Sequence, residues 1–244
     1  MDVRREPFAP FNFEAGEVLN IDKPAGMTSF SIVERIRRWT RCKKVGHAGT
    51  LDPLATGVLL VCTGLATKRV SKLMELEKVY EGTIELGKST ETDDAEGKVL
   101  KHVRVPTFSQ EDLVPILKKF EGEVEQVPPM YSALKKDGQR LYRLARRGEV
   151  VPREPRRVRI YELELLEWQR PFLRVRVRCS KGTYIRALAR DMGEQLGTGG
   201  YLKTLRRTRV GRYCVEDAYS LEALRELLFV RDESLSIHRK DSVL

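Results

Sequence analysis

The chain has 244 residues, 41% of them hydrophobic, and a net charge of +10 with a sequence pI near 9.5. That length holds one large domain or two smaller ones around a substantial core. The ordinary apolar content argues against disorder, no apolar run approaches the ~18 residues of a membrane span, and Met1–Pro7 lacks the apolar core of a signal peptide, so it is expected to be a loose extension. The basic balance favours an anionic partner, most simply nucleic acid.

Val18–Ile21 reads as a short strand running into the Asp22-Lys23-Pro24 turn. Ser29-Phe30-Ser31 offers helix caps, and Ile32, Val33, Ile36 and Trp39 then share one helical face. Arg35, Arg37, Arg38 and Arg41 lie largely off that face, where phosphate contacts and plain solvation are both open.

Gly46-His47-Ala48-Gly49-Thr50-Leu51-Asp52-Pro53-Leu54-Ala55-Thr56-Gly57 is a polar, glycine-punctuated loop between apolar segments. Asp52 is its only carboxylate, and Pro53 holds Asp52 out of the α region. Val58–Cys62 follows as a buried strand or helix segment. One aspartate on a stiffened loop above a buried element suits a nucleophile or a base; a solvated Asp-Pro turn has the same local pattern.

Tyr80 to Leu86 alternates, with Tyr80, Gly82, Ile84 and Leu86 on one face and Glu81, Thr83 and Glu85 on the other, which predicts a strand. Ser89–Gly97 is acidic, but its spacing lacks the alternating ligands of a calcium loop. Ser109 caps a helix whose apolar face is Leu113, Ile116, Leu117 and Phe120, with Pro115 kinking it or limiting its first turns. Glu121–Met130 reads as a loop, and Gln139–Arg147 as a short helix stopped by Gly148. Lys135, Lys136, Arg140, Arg143, Arg146 and Arg147 crowd this part.

Leu173, Val175, Val177 and Cys179 alternate with Arg174, Arg176 and Arg178, a half-buried strand with an arginine face. Three like charges two residues apart repel, so phosphate or carboxylate partners are expected; Glu162 and Glu164 on a nearby candidate strand favour carboxylates. Gly182 precedes a helix with Ile185, Leu188, Ala189, Met192 and Leu196 on one face and Arg186 beside it. Gly197–Gly200 ends that helix, and it lacks the Gly-Lys-Ser/Thr ending of a phosphate loop. Ser220–Phe229 makes a last helix. Cys42, Cys62, Cys179 and Cys214 form no Cys-x-x-Cys pair, which leaves a zinc site or disulfide framework unsupported and fits a reducing cytoplasm.

The loop GHAGTLDPLATGVL resembles the catalytic signature of the TruB class of pseudouridine synthases, which act on tRNA. Asn20–Ser29, Lys78-Val79-Tyr80, Gly87 with Thr90, Thr92, Asp94 and Gly97, Val127–Ala133, Gly182–Arg186 and Leu205–Gly211 resemble further motifs of that family, in its order. The likeness runs from about Val18 to about Leu224. It implies an α+β catalytic fold, a mixed, mainly antiparallel sheet with flanking helices, spanning 18–224. It also implies a thumb-like insertion at about 127–148 that closes over the tRNA loop. Residues 1–17 are then an N-terminal extension and 225–244 a tail too short for the complete PUA domain usual in the family.

The same resemblance implies the activity: uridine to pseudouridine in the TΨC stem-loop of tRNA, at position 55. Asp52 is implied as the catalytic carboxylate, Tyr80 as the tyrosine stacking on the target base, and Arg186 as the partner that lowers the Asp52 pKa and keeps it charged. His47 holds the flipped RNA, Tyr184 and Leu205 line the pocket, and Asp94 joins the ionic network. Lys23 and Thr28-Ser29 support the loop. The isomerisation needs no redox step, so no cofactor and no metal are expected, and His47 has no companion ligands nearby. A monomer in the cytoplasm is the simplest expectation. A guide-RNA-dependent pseudouridine synthase and a passive tRNA-folding chaperone are the competing readings.

Overall fold

The computed structural model describes residues 11–228, with 133, 137 and 150 excepted. Its frame is a nine-stranded mixed sheet. In chain order the strands and helices are β1 (Val18–Lys23), α1 (Ser29–Thr40), β2 (Val45–His47), β3 (Thr56–Thr63), α2 (Val70–Glu75), β4 (Lys78–Leu86), β5 (Lys88–Thr90), β6 (Val99–His102), α3 (Gln110–Lys118), β7 (Gly122–Gln126), β8 (Lys135–Lys136), β9 (Gln139–Arg140), α4 (Leu141–Arg146), β10 (Arg156–Gln169), β11 (Phe172–Cys179), α5 (Ile185–Gln195), β12 (Gly200–Val210) and β13 (Tyr213–Cys214). A further helix occupies 221–228. The main sheet runs β1-β3-β12-β4-β11-β10-β7, with β2 on β3 and β13 on β12; the β5–β6 and β8–β9 hairpins stand apart. Every pairing is antiparallel except β3 with β12, which is parallel. The α+β expectation therefore holds, including the predominance of antiparallel pairs.

The apolar run after the aspartate loop is strand β3, and it is buried on both faces. Leu59 and Val61 point into the main core with Ile32, Ile36, Ile84 and Leu188, while Val58, Leu60 and Cys62 pack a smaller core with Ala48, Leu73 and Val210. That is why the run shows no alternation: a strand covered on both sides has no solvent face to mark.

Three local readings change. The cap of α1 is Thr28, whose side chain accepts from the Ser31 amide at 3.0 Å, so Ser29 is left free for another partner. α3 has its capping box at Ser109 and Asp112 and continues through Pro115. The segment expected as a loop from Glu121 contains edge strand β7, paired with Arg156–Ile160 of β10. Its residues are mostly polar, so the partner strand and not an apolar face defines it.

Of the expected N-terminal extension, Met1–Pro7 lies outside the described residues. The part from Phe11 is folded: Phe11 stacks on Phe13 at 5.3 Å, and the Glu17 amide donates to Thr63 Oγ1 at 3.0 Å. The residues after 228, including Phe229, also lie outside them. The described helices include none long and apolar enough to cross a membrane.

Candidate active site

The loop between β2 and β3 is fixed from below by groups that no helical or strand period would single out. Lys23, fully buried at the end of β1, donates from Nζ to the carbonyls of Pro24, Met27 and Pro53 at 2.9, 2.6 and 3.1 Å. Burial, eased by Asp52, lowers its pKa to about 8. Ser29 Oγ donates to the Leu51 carbonyl and accepts from the Leu51 amide, at 3.0 and 2.8 Å. The residues on both sides of Asp52 are thus held by the backbone turn that follows β1, and the supporting role read for Lys23 and Ser29 is visible as hydrogen bonds.

Arg186 comes from the first turn of α5 and is almost wholly buried. Its Nε lies 2.9 Å from Asp52 Oδ2, and its Nη2 donates to Asp52 Oδ1 at 3.2 Å. The same fork donates to the carbonyls of Thr92 and Tyr131 at 3.0 and 2.8 Å. Asp94 Oδ2 stands 3.4 Å from Nη1, and its other oxygen accepts from Thr92 Oγ1 and the Glu96 amide. One guanidinium therefore joins the aspartate loop, the acidic loop after β5 and the segment after β7. The contact with Asp52 is thus a close ion pair with one hydrogen bond, from Nη2, while Nε makes none.

The Asp52 side chain is 35% exposed, with Arg186 against its carboxylate. Burial pushes its pKa up, Arg186 pulls it down, Asp94 pushes it up again, and the net displacement is upward. The lowered pKa expected from the arginine alone is thus corrected: desolvation outweighs the ion pair.

Tyr80, at the core face of β4, is buried, and its phenol feels the charges of Arg207 and Asp52; burial raises its pKa. Tyr184 immediately precedes α5, within range of the charges of Arg186 and Asp52, and its amide donates to Gln126 Oε1 at 3.1 Å. Leu205 is buried on β12 opposite Gly82 of β4, and its carbonyl accepts from Thr56 Oγ1 at 3.5 Å. His47 ends β2; its Nδ1 is buried without a hydrogen-bond partner, and burial and then the Arg207 charge lower its pKa. Among the described residues no three His, Cys, Asp or Glu side chains cluster as metal ligands.

The structure thus gathers Asp52, Arg186 and Asp94 in direct contact, with Tyr80 and Tyr184 close enough for their phenols to sense Asp52. It adds one residue that sequence reasoning passed over. Arg207, among the most deeply buried side chains, reaches under the aspartate loop. In the sequence it is one of several arginines in a motif, with nothing to separate it from Arg206 or Arg209.

Solved proteins share this fold. A Cbf5-Nop10-Gar1 complex contains a chain 31% identical, with a TM-score of 0.72 over 91% of this chain and 57% of that one. An H/ACA RNP bound to a substrate RNA containing 2'-deoxyuridine gives 28% identity and a TM-score of 0.69, over 91% and 56%. Residues 37–185 match the model of the TruB family pseudouridylate synthase N-terminal domain, and 186–240 that of the tRNA pseudouridylate synthase B C-terminal domain. The protein class so defined is a pseudouridine synthase, an isomerase.

More narrowly, the chain belongs to the TruB family. It is 51% identical to tRNA pseudouridine synthase B of Pseudomonas fluorescens (strain Pf0-1) over 85% of its own length and 68% of that protein, and 47% identical to that of Francisella philomiragia subsp. philomiragia over 87% and 70%. It spans just over half the length of the solved chains it resembles.

Proposed function

We propose that the chain converts uridine to pseudouridine in the TΨC loop of tRNA, at position 55, with Asp52 as the catalytic carboxylate. The reaction breaks the N1–C1′ bond, turns the base and joins C5 to C1′; the C5 proton leaves and N1 ends protonated, so no atoms are gained or lost. Attack on the nucleoside and proton abstraction from it both start from an ionised carboxylate. The observation that carries the reading is the ion pair of Arg186 with Asp52, 2.9 Å at Nε with a hydrogen bond from Nη2 at 3.2 Å. Arg186 lowers the Asp52 pKa against the larger upward push of burial, and the partly exposed carboxylate is left to the substrate.

A base inside an RNA fold must leave its stack to reach Asp52. Tyr80 then supplies an aromatic wall, a contact worth about 1–3 kcal/mol for a stacked base. Tyr184 and Leu205 line the remaining walls, His47 steadies the everted strand, and Asp94 holds Arg186 from behind. The names of the relatives near 50% identity support tRNA as substrate. The basic surface, with 45 Lys and Arg against 35 Asp and Glu, adds phosphate affinity that weakens with salt. The 127–148 segment acts as a thumb over the RNA loop, and the enzyme works without a guide RNA.

The test is Asp52→Asn. Release of tritium from C5-labelled uridine in a bare tRNA transcript should stop, while tRNA binding changes by less than several-fold. Turnover equal to that of the unchanged protein rejects the aspartate mechanism, and a requirement for added RNA in the unchanged protein rejects stand-alone action.

A further inference from the structure

Arg207 is a buried cation without an anion. It is 1% exposed, and among the described residues no carboxylate lies within ion-pair distance of it, in contrast to Arg186, Arg190, Arg206 and Arg209. Taking an ion out of water costs several kcal/mol even after relaxation. Packing alone would be met more cheaply by an aliphatic side chain of similar length.

Its place in the sheet suggests what the cost is for. On β12, Arg207 lies opposite Gly57 of β3 on one side and opposite Tyr80 of β4 on the other. Gly57 has φ +98°, and a Cβ there would collide with the Arg207 carbonyl, so the strands meet closely only because that position is glycine. The guanidinium then runs under the loop. Nε donates to the Val58 carbonyl at 2.7 Å and Nη2 to the Gly49 carbonyl at 3.1 Å, one from each end of the Asp52 loop. Tyr80, its cross-strand partner on β4, lies close enough for its phenol to feel the guanidinium charge.

We propose that Arg207 is a positioning residue of the isomerisation, a rigid fork that fixes the Asp52 loop at a set distance from the Tyr80 phenol. The idea rests on the function proposed above. A planar guanidinium can hold two carbonyls at once with fixed geometry, whereas an ammonium is a point charge on a flexible stem. Displacing a reacting group by about 1 Å can cost about a hundredfold in rate without weakening binding. Arg207 is buried beneath the loop and acts through it.

The experiment compares Arg207→Lys and Arg207→Gln with the unchanged protein. It measures thermal midpoint, tRNA affinity and the single-turnover rate of tritium release at saturating enzyme. Affinity should stay within about threefold, while the bound-state rate falls about tenfold for Lys and about a hundredfold for Gln. In a Tyr80→Phe background the Gln substitution should cost clearly less than in the unchanged protein, because part of its effect passes through the phenol. Rates within twofold of the unchanged protein, a loss confined to affinity, or full additivity with Tyr80→Phe each overturn the proposal.

If both variants fail to fold, the unchanged protein still decides: the Arg207 Nε proton should exchange slowly in ¹⁵N-detected spectra, and fast exchange refutes the buried fork. Absence of tritium release from the unchanged protein would instead reject the function proposed above, whatever the Arg207 spectra show.

Discussion

Two basic regions of this molecule handle charge in opposite ways. On the outer face of the sheet, Arg174 pairs with Glu81, Arg176 with Glu81 and Glu164, Arg178 with Glu162 and Glu77, and Arg209 with Glu77, at 2.8–3.4 Å. Four arginines meet four glutamates across four neighbouring strands, and each side chain stays partly exposed. Beneath the Asp52 loop, Lys23, Arg186 and Arg207 are buried, and they are held largely by backbone carbonyls. The outer ladder uses the cheap arrangement, in which water shares the solvation and each pair is worth about 0–1 kcal/mol. The inner set is costly, and so its geometry is where function is to be sought. The ladder also shows the carboxylate partners expected for an arginine stripe.

This contrast can be broken most severely at Arg186. Arg186→Met removes the group bonded to Asp52, Asp94, Thr92 and Tyr131, leaving two carboxylates facing each other. Breaking a buried pair in this way costs about 3–5 kcal/mol of stability, and the single-turnover rate should fall at least a thousandfold. The acid side of the pH–rate profile adds a sign. Arg186 lowers the Asp52 pKa against the push of burial, so removing it raises that pKa further. Activity needs the carboxylate, and the acid limb should therefore move to higher pH. An unmoved limb in the residual activity would detach Asp52 from the titration.

A smaller effect is expected at Glu85, which joins the two regimes: a buried carboxylate with good partners. Burial alone would raise its pKa, but Lys88, Tyr201 and Lys203, at 2.7, 2.6 and 2.9 Å, hold it at about 2 against an ordinary 4.5. A depressed carboxylate stabilises the fold above its unfolded pKa and loses that contribution as pH falls through its folded one. Glu85→Gln should cost about 1–2 kcal/mol in urea unfolding at pH 7, because solvent around the partly exposed lysines screens the full shift. The difference should shrink below pH 4.5 and be gone near pH 2. A constant difference across that window would rule out the linkage.

The least effect belongs to the ladder. Glu81→Gln removes the partner shared by Arg174 and Arg176, yet should cost no more than about 1 kcal/mol and leave turnover unchanged. High salt should erase most of the difference between the variant and the unchanged protein. A loss as large as that at Glu85 would mean that the outer face is not the cheap one.

The sequence alone carried what depends on neighbours a few residues away. The α1 face, the Ser109 cap, the Tyr80–Leu86 alternation and the arginine stripe of β11 are periodic or capping patterns, and the structure contains each of them. The stiff Asp52-Pro53 loop was legible for the same reason, and ordered motifs drew Arg186 and Asp94 toward it.

Tertiary structure alone decided the rest. β7 exists because β10 lies beside it, Glu77 and Glu81 meet β11 arginines across the sheet, and Ser29 caps nothing because Leu51 takes its hydroxyl. The direction of the Asp52 pKa turned on desolvation, a property of the surroundings that no spacing encodes. Arg207 differs from the arginines around it only in what lies above it after folding. Period and capping are written in the chain, but burial and partnership between distant residues arise only when the strands are brought side by side.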